Sequence, residues 1–106
     1  MSYTVVFAPE ADDQLEAVYR YISARASPAV AEKYAGAIVA TCEQLATMPH
    51  RGVARDDIRP GLRVTHHRGR TVIAYAVDDE SLRVSVIGVF YGGQDYGEAL
   101  APDRDA

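Results

Sequence analysis

The chain is poor in several residue types, and each shortage excludes a class of function. Its 106 residues include one cysteine, Cys42, so no internal disulfide can form, as is usual in a reducing cytoplasm. No apolar run approaches the roughly 18 residues that a membrane-spanning helix needs. The N-terminal stretch MSYTVVFAPE has no basic segment and is not typical of a signal peptide. We therefore expect one small cytoplasmic domain that does not contact the membrane.

The spacings that mark metal and catalytic sites are also missing. His66 and His67 are neighbours on a predicted strand and point to opposite faces, so they cannot ligate one ion together. Cys42 lies on the apolar stripe of a predicted helix, where core packing is a better interpretation than nucleophilic catalysis. We predict no catalytic residue, no metal ion and no cofactor.

Positive charge is concentrated in the middle of an otherwise acidic chain. The net charge is −4, yet six of the ten arginines and all three histidines lie between His50 and Arg70, opposed only by Asp56 and Asp57. An acidic chain is a poor general nucleic-acid binder, because such binders are usually strongly basic. The basic segment instead predicts recognition of an acidic partner, or else a solvated loop.

Hydrophobic periodicity predicts an α+β domain. A β-branched run predicts an N-terminal strand, two first-turn prolines open two helices, and polar turns separate later strand-like runs. Two helices with so short a link form an antiparallel hairpin that packs on one face of the sheet. The predicted elements are a strand over 3–8, helices from 9 to 25 and from 28 to Pro49, a loop over 50–61, and a three-stranded antiparallel meander over 62–67, 70–77 and 82–91. We predict a single domain over residues 1–96 and a short, acidic, flexible tail over 97–106.

The strands of the predicted meander are apolar on both faces. In the second of them, Val72, Ala74 and Ala76 alternate with Ile73, Tyr75 and Val77. A helix hairpin can cover one face only, so the other face would form an interaction surface. Alternatively, the C-terminal segment or a second copy of the chain covers it.

The order of these pieces resembles a known toxin family. The stretches FAPEADDQL, ASPAVAEKY, LATMPHRG, DDIRPGLR, RTVIAYAVD and VIGVFYGGQD follow one another at the spacing of the ParE branch of the RelE/ParE superfamily. These proteins are toxins of type II toxin–antitoxin modules, which are associated with plasmid stabilisation. The resemblance covers about residues 3–96 and implies a RelE/ParE-like fold.

Two activities occur in this superfamily. ParE-like members are associated with inhibition of DNA gyrase and have no known hydrolytic centre, whereas RelE-like members are ribosome-dependent mRNA interferases. Val72 stands where RelE-like chains carry an arginine, so the resemblance favours a gyrase inhibitor. Gln94 stands where many ParE-like chains carry an arginine, which puts the target in question. An interferase with a divergent site of Arg59, Arg63, Arg70 and Tyr91 is the alternative, and a decayed, non-toxic partner of an antitoxin is another.

The resemblance also implies a partner and two interaction surfaces. A cognate ParD-like antitoxin would bind tightly, form a hetero-oligomer and supply the only contact with DNA, while its acidic segment would need an apolar surface with a basic rim. The expected antitoxin-binding residues are Arg59, Arg63, Arg68, Arg70, Ile73, Tyr75 and Val77. The expected target-binding residues are Tyr91, Gln94 and Asp95.

Overall fold

The predicted α+β class is confirmed by the computed structural model of the chain, which describes residues 2–92, 94 and 96–100. None of the described helices has the length and apolar character that crossing a membrane requires. The elements in chain order are β1 (Thr4–Phe7), α1 (Pro9–Arg25), α2 (Pro28–Glu43), β2 (Val53–Ala54), β3 (Leu62–His67), β4 (Thr71–Asp78), β5 (Arg83–Tyr91) and α3 (Tyr96–Leu100). A 3-10 turn, Gln44–Ala46, directly follows α2.

Local sequence signals determine where the two long helices begin. Pro9 and Pro28 each occupy the first turn, where a missing N–H breaks no helical hydrogen bond. Ser27 caps α2, because its Oγ accepts a hydrogen bond from the backbone N–H of Val30 at 3.1 Å. Each helix buries one stripe, formed by Ala11, Val18 and Ile22 in α1 and by Ala31, Ile38 and Cys42 in α2.

The five strands form one mixed sheet in the order β1-β5-β4-β3-β2. β3, β4 and β5 pair antiparallel, whereas β1 runs parallel to β5, with Thr4 opposite Arg83 and Phe7 opposite Val86. β2 lies inside the segment that was expected to be a loop and pairs antiparallel with β3. This strand has two residues only, too few for an alternating pattern to be visible in the sequence.

A bulge in β5 changes which side chains share a face. Ala74 is opposite Gly88 but Tyr75 is opposite Val86, so Ile87 is the extra residue. Val84 and Val86 therefore lie on the helix side before the bulge, and Val89 returns to that side after it.

The helices cover the face of β4 that was expected to be free. Ile73 and Tyr75 are both 0% exposed and belong to the core cluster beneath α1 and α2. We had placed these side chains on the antitoxin-binding surface, and their burial removes them from it. Alternation in a strand that is apolar on both sides does not reveal which side faces the helices.

Part of the opposite face is covered by α3. Leu100 of α3 is 6% exposed and packs with Leu62, Val64, Ala74 and Phe90 in a second cluster. Residues 97–100 therefore differ from the flexible tail that we expected over 97–106, because burial of Leu100 stabilises a short helix; residues 101–106 lie outside the described residues. The Tyr96 hydroxyl also accepts a hydrogen bond from Arg55 Nη1 at 2.6 Å.

Candidate interaction site

The outer edge of β5 is only partly covered by β1. Pairing with β1 stops at Val86, so the last residues of β5 face α1 instead of another strand. Gln14 of α1 satisfies part of this edge, because its Oε1 accepts a hydrogen bond from the backbone N–H of Val89 at 2.7 Å. The arrangement leaves an open cleft beyond Gln14, between the helix and the end of the strand.

The cleft has a volume of about 320 Å³, at the lower end of the range for ligand pockets. Among the described residues, one cation lines it and no carboxylate does. One wall comes from α1 and the other from the start of β4 and the end of β5. The lining residues are Gln14, Ala17, Val18, Tyr21, Arg70, Tyr91, Gly92 and Gln94.

Tyr91 is held in the cleft by two other tyrosines. Its ring meets the rings of Tyr21 and Tyr34 edge to face, with centroids 5.8 Å and 5.6 Å apart. Tyr34 is itself fixed by a hydrogen bond of 2.9 Å between its hydroxyl and Thr71 Oγ1. Such edge-to-face pairs add roughly 0.5–1.5 kcal/mol each beyond the area that they bury, so the Tyr91 ring is preorganised.

Gln94 closes the end of β5 by a specific hydrogen bond. Its Oε1 accepts from the backbone N–H of Tyr91 at 3.1 Å, and the Gly92 N–H donates to the Arg70 carbonyl oxygen at 3.0 Å. An arginine has no acceptor and could not form this bond with the Tyr91 amide. Gln94 therefore differs from an arginine at this position in two ways: it carries no charge, and it holds the turn that follows β5 through its contact with the Tyr91 amide.

Two arginines place positive charge next to the tyrosines of the cleft. Arg70 Cζ lies 5.9 Å from the centroid of the Tyr91 ring, and Arg25 Cζ lies 3.9 Å from that of Tyr21. Both arginines and Tyr21 are exposed. Tyrosine and arginine are the residues most enriched among the energetically dominant contacts of protein interfaces.

The structure therefore brings together three residues that we had assigned to two different partners. Arg70 was expected to bind the antitoxin, whereas Tyr91 and Gln94 were expected to bind the target, yet all three line this cleft. Asp95 lies outside the described residues.

The remaining expected residues are dispersed. Arg59 lines a cavity on the opposite face of the sheet, with Glu10 and Phe90 among its neighbours. Arg68 lies beside α2, and Val77 lines a third cavity near His50. Within the described residues, the arginines of segment 50–70 therefore do not form one continuous strip.

Arg63 has a structural role instead of an exposed docking role. Its Nη1 donates to the carbonyl oxygens of Gly52 and His50, at 2.7 Å and 3.2 Å. The buried Tyr75 hydroxyl accepts from the backbone N–H of Gly52 at 2.9 Å. Arg63 and Tyr75 thus hold the segment that leads into β2, and we remove Arg63 from the expected antitoxin-binding residues.

Sequence reasoning missed Tyr21, Tyr34 and Gln14. Tyr34 lies at helical spacing from Ala31 and Ile38, so the sequence pattern marks it only as a core residue of α2. Tyr21 lies next to Ile22 but off the apolar stripe of α1, and it is 46% exposed. A large aromatic residue on the polar side of a helix is the signal that could have found it.

His67 lies in a buried polar network beneath α2. The ring is 7% exposed, its Nδ1 is 2.8 Å from Thr41 Oγ1, and that hydroxyl already donates to the Ala37 carbonyl oxygen. Nδ1 must therefore carry the proton, and Nε2 is a buried acceptor without a partner among the described residues. Protonation would create a buried cationic donor, and burial, together with nearby Arg68, lowers the pKa of His67.

We expect this histidine to make the fold less stable in mild acid. The pKa of His67 is lower in the folded chain than in the unfolded chain, where it is about 6.5, so the unfolded chain binds a proton first as the pH falls. The fold therefore keeps its full stability above about pH 6.5 and loses stability progressively below it. Chemical denaturation between pH 7.5 and 5 should show a steeper loss for the wild type than for His67→Gln. His66→Gln removes the exposed neighbour and is the control; if its profile changes as much as that of His67→Gln, His67 is not the source.

Cys42 is confirmed as a core residue. Its thiol is 0% exposed, in the cluster beneath the helices, and burial raises its pKa to about 12. A thiol that stays protonated at neutral pH is a poor nucleophile. Among the described residues, no group of three or more histidine, cysteine, aspartate or glutamate side chains is placed to hold a metal ion.

Comparison with known protein families identifies the family to which this chain belongs. The sequence profile of the ParE toxins of type II toxin–antitoxin systems, parDE, matches residues 5–96. The chain belongs to the ParE toxin family. The match spans β1 to the start of α3 and so includes every described residue of the cleft. No curated protein matches the chain in sequence.

Solved structures of toxins share the fold of this ParE-family chain. A chain of the chromosomal ParDE system from P. aeruginosa superposes with a TM-score of 0.73, at 20% identity over 86% of this chain and 97% of that one. A chain of the RelBE2 toxin–antitoxin complex from Mycobacterium tuberculosis gives 0.63 at 22% identity, covering 89% and 95%. A mutant of E. coli RelE in the free state gives 0.63 at 18% identity, covering 95% of each chain. At these identities, the likeness establishes a common fold only.

Proposed function

We propose that this ParE-family chain inhibits DNA gyrase, and that a cognate ParD-like antitoxin neutralises it by tight binding in the cytoplasm. The observation that carries the proposal is the gathering of Arg70, Tyr91 and Gln94 in the cleft between α1 and the end of β5. The match to the ParE family supports the choice of target class, because the resemblance implies gyrase for this branch.

The chemistry of the cleft suits binding more than hydrolysis. Tyrosine faces, an arginine and two glutamine amides offer stacking, cation–π and hydrogen-bonding contacts to another macromolecule. An inhibitor of gyrase that acts by binding must occupy a surface of the enzyme and stay bound. It does not need to cleave any bond itself. The cleft would hold one or two side chains of the target.

The geometry weighs against the nuclease alternative in the form that we considered. A nuclease site needs cations aimed at one reacting phosphate. Arg70 and Tyr91 are neighbours, but Arg63 is engaged by the carbonyl oxygens of His50 and Gly52, and Arg59 lines a different cavity. The four residues of that alternative therefore do not converge.

The antitoxin would bind a smaller set of residues than the sequence had suggested. Ile73 and Tyr75 are buried and Arg63 is engaged, so Arg59, Arg68, Arg70 and Val77 remain. The two chains would form a hetero-oligomer that contacts DNA through the antitoxin alone. Such a module would stabilise the plasmid or chromosomal segment that carries it.

Expression of the chain alone distinguishes the candidate functions in cells. We expect growth to stop with an early fall in thymidine incorporation, while amino-acid incorporation continues at first, because gyrase inhibition blocks replication before translation. Co-expression of the cognate ParD-like antitoxin should restore growth. An immediate fall in amino-acid incorporation would favour ribosome-dependent mRNA cleavage, and unaffected growth would favour a decayed toxin.

A further inference from the structure

The outward face of α2 combines small apolar residues with three charged ones. Glu32, Lys33 and Glu43 are exposed and are the charged residues among its sixteen. Val30 is 51% exposed, and the other exposed residues, Pro28, Ala29, Gly36 and Ala40, are small. The small side chains around Val30 leave room for another element to approach this part of the helix closely.

A cavity lies where this face of α2 meets the connection between β3 and β4. Its volume is about 330 Å³, and its floor is largely apolar. Lys33, the only lysine of the chain, and Arg68 are both on its rim. No carboxylate lines it within the part of the chain that the structure describes. The lining residues are Val30, Lys33, Tyr34, Ala37 and Arg68.

Arg68 occupies a backbone position that disfavours arginine. Its φ is 53°, and that of Gly69 is 75°. Positive φ is uncommon for residues other than glycine, and asparagine adopts it several-fold more readily than most side chains do. Residues other than glycine and asparagine are strained in this region, and such strain is often found at functional sites. The chain thus places a cation beside the apolar cavity where asparagine would suit the backbone better.

We propose that this surface binds an acidic, amphipathic helix of the antitoxin. An apolar side chain of that helix enters the cavity between Val30 and Ala37, and flanking carboxylates meet Lys33 and Arg68. Charge complementarity favours this occupant over a second copy of the chain. A symmetric dimer centred on the cavity itself would bring the cations Lys33 and Arg68 of both copies together. This inference rests on the proposed function, because it names the surface that the antitoxin uses.

Contact with the antitoxin at this cavity also reaches the target cleft. Tyr34 lines the cavity, and its ring packs on Tyr91, whose ring lies in the cleft. An antitoxin helix bound at this cavity would therefore contact Tyr34, which packs against Tyr91 in the target cleft.

The test uses a variant that is expected to fold at least as well as the wild type. Lys33→Gln combined with Arg68→Asn removes both cations, and asparagine adopts the positive φ of position 68 more readily than arginine does. Arg51→Gln combined with Arg83→Gln removes the same number of charges from exposed positions outside the cavity. The probe is the purified ParD-like antitoxin that neutralises this chain in cells, and the Kd is measured by calorimetry at two salt concentrations.

We expect the Lys33/Arg68 variant to bind the probe about tenfold or more weakly and with a smaller dependence on salt. Its Tm should equal or exceed that of the wild type, and the Arg51/Arg83 variant should bind within about twofold of the wild type. Equal affinity for the wild type and the Lys33/Arg68 variant would overturn the inference. So would self-association of the wild type that the Lys33/Arg68 variant abolishes, because the occupant would then be a second copy.

The two proposals fail in different ways in this experiment. If the wild type binds the probe through this surface but does not inhibit gyrase, the inference stands and the gyrase target is wrong. If the wild type does not bind the probe at all, the antitoxin proposal fails and the inference fails with it.

Discussion

Replacing Gly52 by alanine is expected to lower the free energy of unfolding by about 3 kcal/mol. A Cβ at this position would lie 2.5 Å from the Tyr75 hydroxyl and 2.8 Å from the Val64 carbonyl oxygen. Neither neighbour can move easily, because Tyr75 is 0% exposed and Val64 belongs to β3. The new methyl group would therefore push the Gly52 amide away from its acceptor and separate β2 from β3.

The loss is large relative to the total stability of a domain of this size, which is about 5–15 kcal/mol. It corresponds to a fall in Tm of about 10–20 °C, measurable by calorimetry. Gly36→Ala is a matched control, since Gly36 lies in α2 and a Cβ there would meet nothing within 4 Å. That variant should gain about 0.5–1 kcal/mol, because alanine is the better helix former. If Gly52→Ala proved as stable as the wild type, the Tyr75–Gly52–Arg63 contacts would not hold this segment as described.

Changing Tyr21 to alanine together with Arg70 to glutamate should weaken gyrase inhibition by about 100-fold. Truncating a tyrosine or arginine at an interface often costs about 1–2 kcal/mol, so the two changes together cost about 2.7 kcal/mol, which corresponds to a 100-fold change in affinity. Loss of the Tyr21 ring also removes the surface on which Arg25 lies and one of the two rings that hold Tyr91. Both substituted side chains are exposed, so the fold should remain intact.

The measurement is the protein concentration that halves supercoiling by purified gyrase. The control is Met48→Ala with Arg51→Glu, which changes an exposed apolar residue and an exposed arginine outside the cleft. Unchanged inhibition by the Tyr21/Arg70 variant, with a normal circular dichroism spectrum, would show that the target binds another surface.

Elements that depend on near neighbours could be predicted from the sequence. The Pro9 and Ser27-Pro28 signals gave the starts of α1 and α2, and polar turns separated β3, β4 and β5 at nearly the observed residues. Each of these features depends on contacts within a few residues, so a single sequence contains the information.

Features that depend on distant partners could not be predicted in the same way. The parallel pairing of β1 with β5 joins residues about 80 positions apart. Tyr75 and Val72 are both apolar, so alternation alone did not show which of them lay beneath the helices. Arg63 looked available for docking because its two carbonyl acceptors belong to a segment that has no sequence pattern.

The cleft combines both cases. Tyr91 and Gln94 were identified at the end of the last strand, and Arg70 was identified from its charge. Their proximity, and the contribution of Tyr21 and Gln14, follow from α1 lying along the part of β5 that β1 leaves uncovered. The sequence alone could name three of the eight residues that line the cleft but could not show that they lie together.

The most direct test of the central claim is supercoiling of relaxed plasmid DNA by purified gyrase, titrated with this protein after its separation from the antitoxin. We predict dose-dependent inhibition that is reversed when the antitoxin is added back. At the same concentrations, the protein should not cleave mRNA bound to ribosomes. Full supercoiling activity in the presence of folded protein would contradict the claim, and mRNA cleavage in the parallel reaction would then identify the ribosome as the site of action.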